Sequence, residues 1–283
     1  EWRGYERYGQ SSWDGFVPFE SIPHVDNPDI LATANQRTID DPAFYMGTSM
    51  TYADPYRGQR IYDLLDDAAQ SGDMTAETMR EIQRDVRSEA AIGLTPYATN
   101  PDAVAQMSPD ARELSSTLDG WDGQMRADSR AALVYRLWVD EFRTATFADE
   151  FTPQGMDDSY YPRLYVLEHL DADARWYDNR STLERTETRD EIAALAMNRT
   201  AERLERDDLE TYGDFNTLDM NHPFDRAFLN YPERPMDGSR FTVFNFRAAG
   251  STQAGSSWRM VVDFGDEDDS AGVIPGGQRG VFW

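Results

Sequence analysis

Along the middle of this chain apolar residues recur with the 3.6-residue period of amphipathic helices. Toward its two ends they fall instead into short runs bounded by Gly, Pro and Asn. Residues 1–28 are rich in aromatic, Gly and Pro positions, and "WDGFVPFESIPHVDNP" reads as an extended, Pro-punctuated segment. A strand is predicted at about 30–34. A helix from Arg60 to Gln70 would carry Ile61, Leu64, Leu65 and Ala68 on one face. A second, from Ala76 to Ala91, would carry Met79, Ile82 and Val86, the two being joined by "SGDMT". The pattern predicts further helices from Ser129 to Thr146, with Leu133, Val134, Leu137 and Trp138 inward, and from Leu183 to Leu204, with Ile192, Leu195 and Leu204 inward. After residue 210 short β-type runs take over: "RFTVFNF", "WRMVVDF" and "GVIPGG". Trp121, Trp138 and Trp258 are expected in the core, and the fold class is mixed α and β.

Composition changes this picture in one respect. The 283 residues are enough for a large core, but Asp and Glu number 52 against 27 basic residues, every one of them Arg, for a net charge of −25. Such a surface repels nucleic-acid phosphates and anionic headgroups, so a nucleic-acid partner is not expected. An aromatic content of 12% argues against disorder. Acid excess without Lys is the pattern expected of a protein living in molar salt, where the screening length falls to about 3 Å. The absence of Cys excludes disulfides and a Cys nucleophile. His24, His169 and His222 are too scattered for a zinc site, and the acidic run "DFGDEDDSAG" is read as a solvated hairpin loop, since its spacing is not that of an EF-hand. No apolar run is long enough to cross a membrane. The chain begins at Glu1 without Met, and we expect a processed piece of a larger precursor. Sequons at Asn179 and Asn198 permit N-glycosylation in a secreted setting, and the expected location is extracytoplasmic or secreted.

Polar Asn35, Gln36 and Arg37 close the apolar run Ile30-Leu31-Ala32, where turn formation alone would account for an Asn. Other motifs give this corner a second meaning. "WDGFVPFESIPHVDNP", "ATANQR", "YRGQRIYDLL", "LDGWDGQMRADSRAALVYRLW", "MNHPFDRAFLNYPERPMDGS" and "GSSWRMVVDFGD" followed by "VIPGGQRG" stand in this order. Together they resemble the middle and later part of the β-chain of the penicillin acylase family of N-terminal nucleophile hydrolases. The resemblance covers nearly the whole chain. It implies an α+β fold, the four-layer αββα sandwich of that superfamily, as one domain. Residues 1–55 would form its leading segment, strand and loop, 56–205 a mainly helical layer, and 206–283 the returning strands and turns.

By the same resemblance Asn35 matches the first Asn of the family's Asn-Asn-Arg signature, whose side-chain amide donates to the oxyanion. A lost oxyanion-hole donor raises the barrier by about 3–4 kcal/mol. Arg57, 22 residues on, matches an Arg kept beside the nucleophile. The implied reaction is acyl transfer: an N-terminal Ser attacks a small amide substrate, of the β-lactam side-chain or acyl-homoserine lactone class, with its own α-amine as base. No residue here supplies that nucleophile, so the resemblance implies a companion chain from the same precursor. An inactive acylase scaffold with a surface or assembly role is the competing expectation. Departures from the pattern are Gln36 for the second Asn and Arg279 for a Ser. No cofactor is required, and a structural calcium is allowed in the 35–57 loop. There Met46 stands near the Asp that binds calcium in some members, with Asp40, Asp41 and Asp54 as substitutes.

Overall fold

Ser129 at the N-cap and ten buried side chains along Arg130–Phe151 make that segment the helix around which everything else is arranged. The structure, a computed structural model, describes residues 18–37, 52–219, 230, 232–249 and 252–274. Its helices in chain order are α1 (Tyr56–Ser71), α2 (Ala76–Ile82), α3 (Glu89–Ala98), α4 (Pro101–Val104), α5 (Pro109–Ser116), α6 (Arg130–Phe151), α7 (Leu164–Glu168), α8 (Arg189–Asp207) and α9 (Tyr212–Phe215). Leu133, Leu137, Trp138 and Phe142 on α6 are fully buried, and the small residues Ala193 and Ala196 of α8 let the two helices pack closely. The Trp138 indole donates to the Ala193 carbonyl at 3.2 Å. Ala90, Ala91, Leu94 and Ala98 bring α3 onto the same core.

Among the described residues, strands occupy the C-terminal part as three antiparallel two-stranded ribbons. β1 (Thr217–Leu218) pairs with β2 (Arg234–Pro235), β3 (Phe246–Ala249) with β4 (Thr252–Gly255), and β5 (Arg259–Val261) with β6 (Ala271–Val273). The described chain is therefore α+β with helices predominating and small sheets.

Helices stand in each of the four segments that the periodicity predicts, with shifted ends or a break, while α4, α5, α7 and α9 are not predicted by it. α1 starts four residues earlier, at Tyr56, and ends on Gly72 in the left-handed conformation. The predicted Ala76–Ala91 helix is broken after Ile82. There Val86 accepts from the Met125 N–H, Arg87 bridges to Gln124, and the Ser88 hydroxyl caps a new helix. The last long helix begins at Arg189 rather than Leu183, because Thr188 and Glu191 form a capping box.

Three expectations are corrected. Residues 30–34 form no strand among the described residues, since a strand exists only through a ladder partner. The polar groups of Ala32 instead bond to the Tyr62 hydroxyl. "RFTVFNF" is a turn, tied by Thr242, whose hydroxyl takes the Ser239 N–H and donates to the Phe244 carbonyl, so the strand starts only at Phe246. Trp258, expected in the core, is 62% exposed, because its side of β5 faces away from the helices.

Candidate active-site corner: Asn35 and Arg57

Segment 30–36 lies along the first turns of α1 and is held there by four hydrogen bonds, two with Tyr62 and two from Arg57, and by one packing contact at Gly58. The Tyr62 hydroxyl accepts from Ala32 N–H at 3.2 Å and donates to Ala32 C=O at 3.1 Å. Gln36 folds back so that its Oε1 takes the Ala34 N–H at 2.5 Å. Its amide then rests against Gly58, where an added Cβ would lie 2.7 Å from Gln36 Cδ. Arg57 Nη2 donates to Ala34 C=O and to Asn35 Oδ1, both at 2.9 Å. Asn35 itself has φ +65°, the left-handed region that Asn tolerates better than most residues. Its carbonyl accepts from Ala53 N–H at 2.7 Å, closing the corner onto the residues that lead into α1.

The two candidate residues named from the sequence are thus in direct contact, and the contact decides how the Asn35 amide faces. A guanidinium has donors only, so the side-chain oxygen must be the atom turned toward Arg57. The Nδ2 group then points the other way, and no acceptor among the described residues takes it. Burial holds the Arg57 guanidinium below its ordinary pKa, and no carboxylate among the described residues pairs with it. The result is an exposed amide donor, fixed in aim by a cation that no carboxylate among the described residues neutralises.

Behind the corner, alternate residues at the start of α1 point inward. Tyr56 donates to Glu168 Oε2, and Tyr97 donates to the Glu168 carbonyl at 2.7 Å. Gly93 makes room for that carboxylate, since an added Cβ would fall 2.0 Å from Glu168 Oε1. Burial, and then the Glu168 bond, push the Tyr56 phenol above its usual range, so it stays a donor at any working pH. Asp54 is also buried. Desolvation raises its pKa, while Arg163, Arg240, the Tyr165 N–H and Arg143 act in the opposite direction.

Among the residues weighed for calcium, Asp54 is surrounded by these guanidinium groups, a setting that disfavours a second cation. Asp40, Asp41 and Met46 lie outside the described residues, as do His222 and Arg279. Among the described residues no group of three or more His, Cys, Asp or Glu side chains is arranged to hold a metal. His24 and His169 are exposed, their Nδ1 atoms 2.9 and 2.8 Å from the Ile22 and Tyr165 carbonyls. The acidic loop after β5 is exposed and bonds to its own backbone.

Sequence reasoning missed Gly58, Tyr62 and Glu168. The first two stand in the "YRGQRIY" run and could have been found by asking what packs on its first turn. Glu168 is 112 residues from Tyr56 and has no local signal. Two surface grooves of about 550 and 600 Å³ are lined elsewhere, by α1 with α2 and by the end of α6 with the 175–180 segment.

A model of the penicillin amidase family matches residues 7–283. The chain belongs to the penicillin amidase family. It is 26% identical over 313 residues to the acyl-homoserine lactone acylase QuiP of Pseudomonas syringae pv. tomato, covering 96% of this chain and 37% of that protein. Against the penicillin acylase 2 proenzyme of a Pseudomonas species it is 27% identical over 294 residues, covering 96% and 36%. QuiP of Pseudomonas aeruginosa is 25% identical over 323 residues, covering 96% and 37%. The chain thus spans a little over a third of the length of these curated family members.

Proposed function

We propose that this chain is the oxyanion-hole part of an amidohydrolase of the penicillin acylase type, acting on a linear amide of the acyl-homoserine lactone or β-lactam side-chain class. The observation that carries this reading is the Arg57–Asn35 bond, which leaves an Asn amide donor exposed at the corner where the family resemblance calls for one. A donor held in that way can bond to oxygen as negative charge develops on it, so its contribution is made in the transition state. Arg57 orients the amide and adds a positive charge beside the developing anion. The nucleophile, a Ser whose free α-amine serves as base, belongs to a companion chain of the same precursor, and the acyl-enzyme formed on it is released by water. In this reading the four-layer sandwich is completed by both chains, this one supplying the later part of the β-chain. We further infer a high-salt, extracytoplasmic source from the charge.

The test is N-terminal sequencing of the assembly purified in molar salt, followed by hydrolysis of an N-acyl-homoserine lactone and of penicillin G. We expect a tightly bound chain beginning with Ser, Thr or Cys, and turnover of one substrate class. In that assembly Asn35→Asp should lower turnover by about 10²–10³-fold. Asp keeps the left-handed corner and the Arg57 contact but removes both amide donors, so the fold should hold. An assembly with no such terminus and no turnover would instead favour a scaffold protein, and full turnover in the variant would remove Asn35 from the oxyanion hole.

A further inference from the structure

Arginines gather where the residues leading into α1 meet the segment before α7 and the stretch from Ser239 to Arg247. Asp54 is buried there, accepts the Tyr165 N–H and has Arg163, Arg240 and Arg143 as charged neighbours. The Tyr56 ring, two residues on, packs edge-on against both Tyr165 and Phe241, which holds the three segments together. Arg240 stands in the turn that Thr242 ties, its guanidinium 5.8 Å from the centre of the Phe241 ring. Its own charged neighbours are Arg247 of β3, Asp54, Arg163 and Arg143.

The charges in this cluster do not balance. Arg143 is provided for, since it donates to three carbonyls and has Asp140 and Asp158 beside it as well as Asp54. Arg163, Arg240 and Arg247 enter no ion pair among the described residues, and the buried Nη1 of Arg163 has no acceptor among them. Three guanidinium groups gathered around one carboxylate leave two positive charges in excess, on a chain whose acids outnumber its bases 52 to 27. Like charges held together away from bulk water repel more strongly than exposed ones, and salt screens them less. The arrangement is relieved by added negative charge, and the planar fork of a guanidinium matches an oxyanion.

We propose that Arg163, Arg240 and Arg247 bind a small divalent oxyanion, of the phosphate or sulfate type, beside Asp54. One such ion cancels the excess, gives Arg163 Nη1 an acceptor and ties together three segments that are distant in sequence. The site is separate from the Asn35–Arg57 corner, because burial, and no charge of this cluster, is what acts on Arg57. The inference therefore goes beyond the acylase reading and does not depend on it.

The experiment is equilibrium dialysis of the protein, expressed from its complete coding sequence and held in molar KCl, against radiolabelled inorganic phosphate. Chloride in that excess displaces loosely held counterions, so retained label reports a site. We expect one phosphate per molecule, displaced by unlabelled sulfate but not by acetate at the same concentration. Arg240→Gln and Arg247→Gln, both at exposed positions, should each weaken binding by at least about tenfold. Arg175→Gln, whose guanidinium lies over Trp176 elsewhere, should leave it unchanged. A free ion and a phosphate monoester are told apart by competition, the site fitting whichever of inorganic phosphate and glycerol phosphate displaces the label better. No retained phosphate overturns the inference, and so does equal weakening by Arg175→Gln, which would show general attraction to arginine. Displacement by acetate as readily as by sulfate overturns it in favour of a carboxylate ligand. Dialysis of the unmutated protein is decisive even where a variant fails to accumulate.

Discussion

Gly58 shows how a missing methyl group shapes the corner that holds Asn35. Its bare Cα lets Gln36 lie on helix α1 and take the Ala34 N–H, which fixes the backbone on either side of Asn35. Gly58→Ala would place a Cβ 2.7 Å from Gln36 Cδ and push that side chain off. Ala gains about 1 kcal/mol in helix propensity and the lost hydrogen bond costs about the same. Thermal unfolding should therefore shift by no more than about 2 °C, while turnover of the assembled enzyme falls by about 10–100-fold. Unchanged turnover would show that Gln36 has no part in aiming Asn35. From the sequence Gln36 is a departure from the Asn-Asn-Arg pattern. In the structure its extra methylene is what allows the amide to curl back to its own chain.

At the scale of elements, the joint between α1, α2 and α3 rests on Arg60 and Asp85. Arg60 Nη2 and Nε donate to the two Asp85 oxygens at 2.7 and 3.1 Å, with both side chains less than a fifth exposed. Asp85→Ala would leave the guanidinium half-buried with only the longer Glu89 contact, at a cost of about 2–3 kcal/mol, readable as a lower denaturation midpoint with unchanged slope. The end of α6 carries a pH-sensitive pair. Asp149 Oδ1 and Glu150 Oε2 are buried and receive no donor from the protein, and protonation of Glu150 would supply one. Burial, followed by the bond to Asp149 and its charge, pushes the Glu150 carboxyl up to about 7 from an ordinary 4.5. Because the folded value is the higher one, the stability contributed by protonation is complete below about pH 4.5 and is lost as pH rises through about 7. Glu150→Gln keeps a donor and removes the titration, so its melting temperature should exceed that of the parent at pH 8.5 by about 2 °C and match it near pH 5. Equal pH profiles for the two proteins would remove this account.

For the whole molecule the dominant fact is a net charge of −25 wrapped around a core built on α6 and α8. Self-repulsion of that size acts over about 10 Å at 0.1 M salt and over about 3 Å at 1 M. The melting temperature should therefore rise by several degrees between 0.1 and 2 M KCl. A flat or falling curve in scanning calorimetry would sink the high-salt reading. Arg in place of every Lys serves the interior as well, since the planar guanidinium stacks on rings and forks onto two acceptors. Arg143 does both, donating to the Pro162, Asp158 and Tyr161 carbonyls while lying 5.6 Å from the centre of the Tyr161 ring.

What the sequence determined by itself was local: the helical periods, and the motif order that carried the family resemblance to Asn35 and Arg57. Each of these depends on residues within a few positions of one another or on a pattern kept along the chain. Tertiary structure alone decided that Arg57 bonds the Asn35 oxygen, that residues 30–34 are tied to a tyrosine hydroxyl, that one predicted helix becomes two, and that Trp258 faces outward. The reason is common to all four. Which way an amide, a backbone run or an apolar strand face turns depends on the groups opposite it, and those come from parts of the chain that the local pattern does not contain.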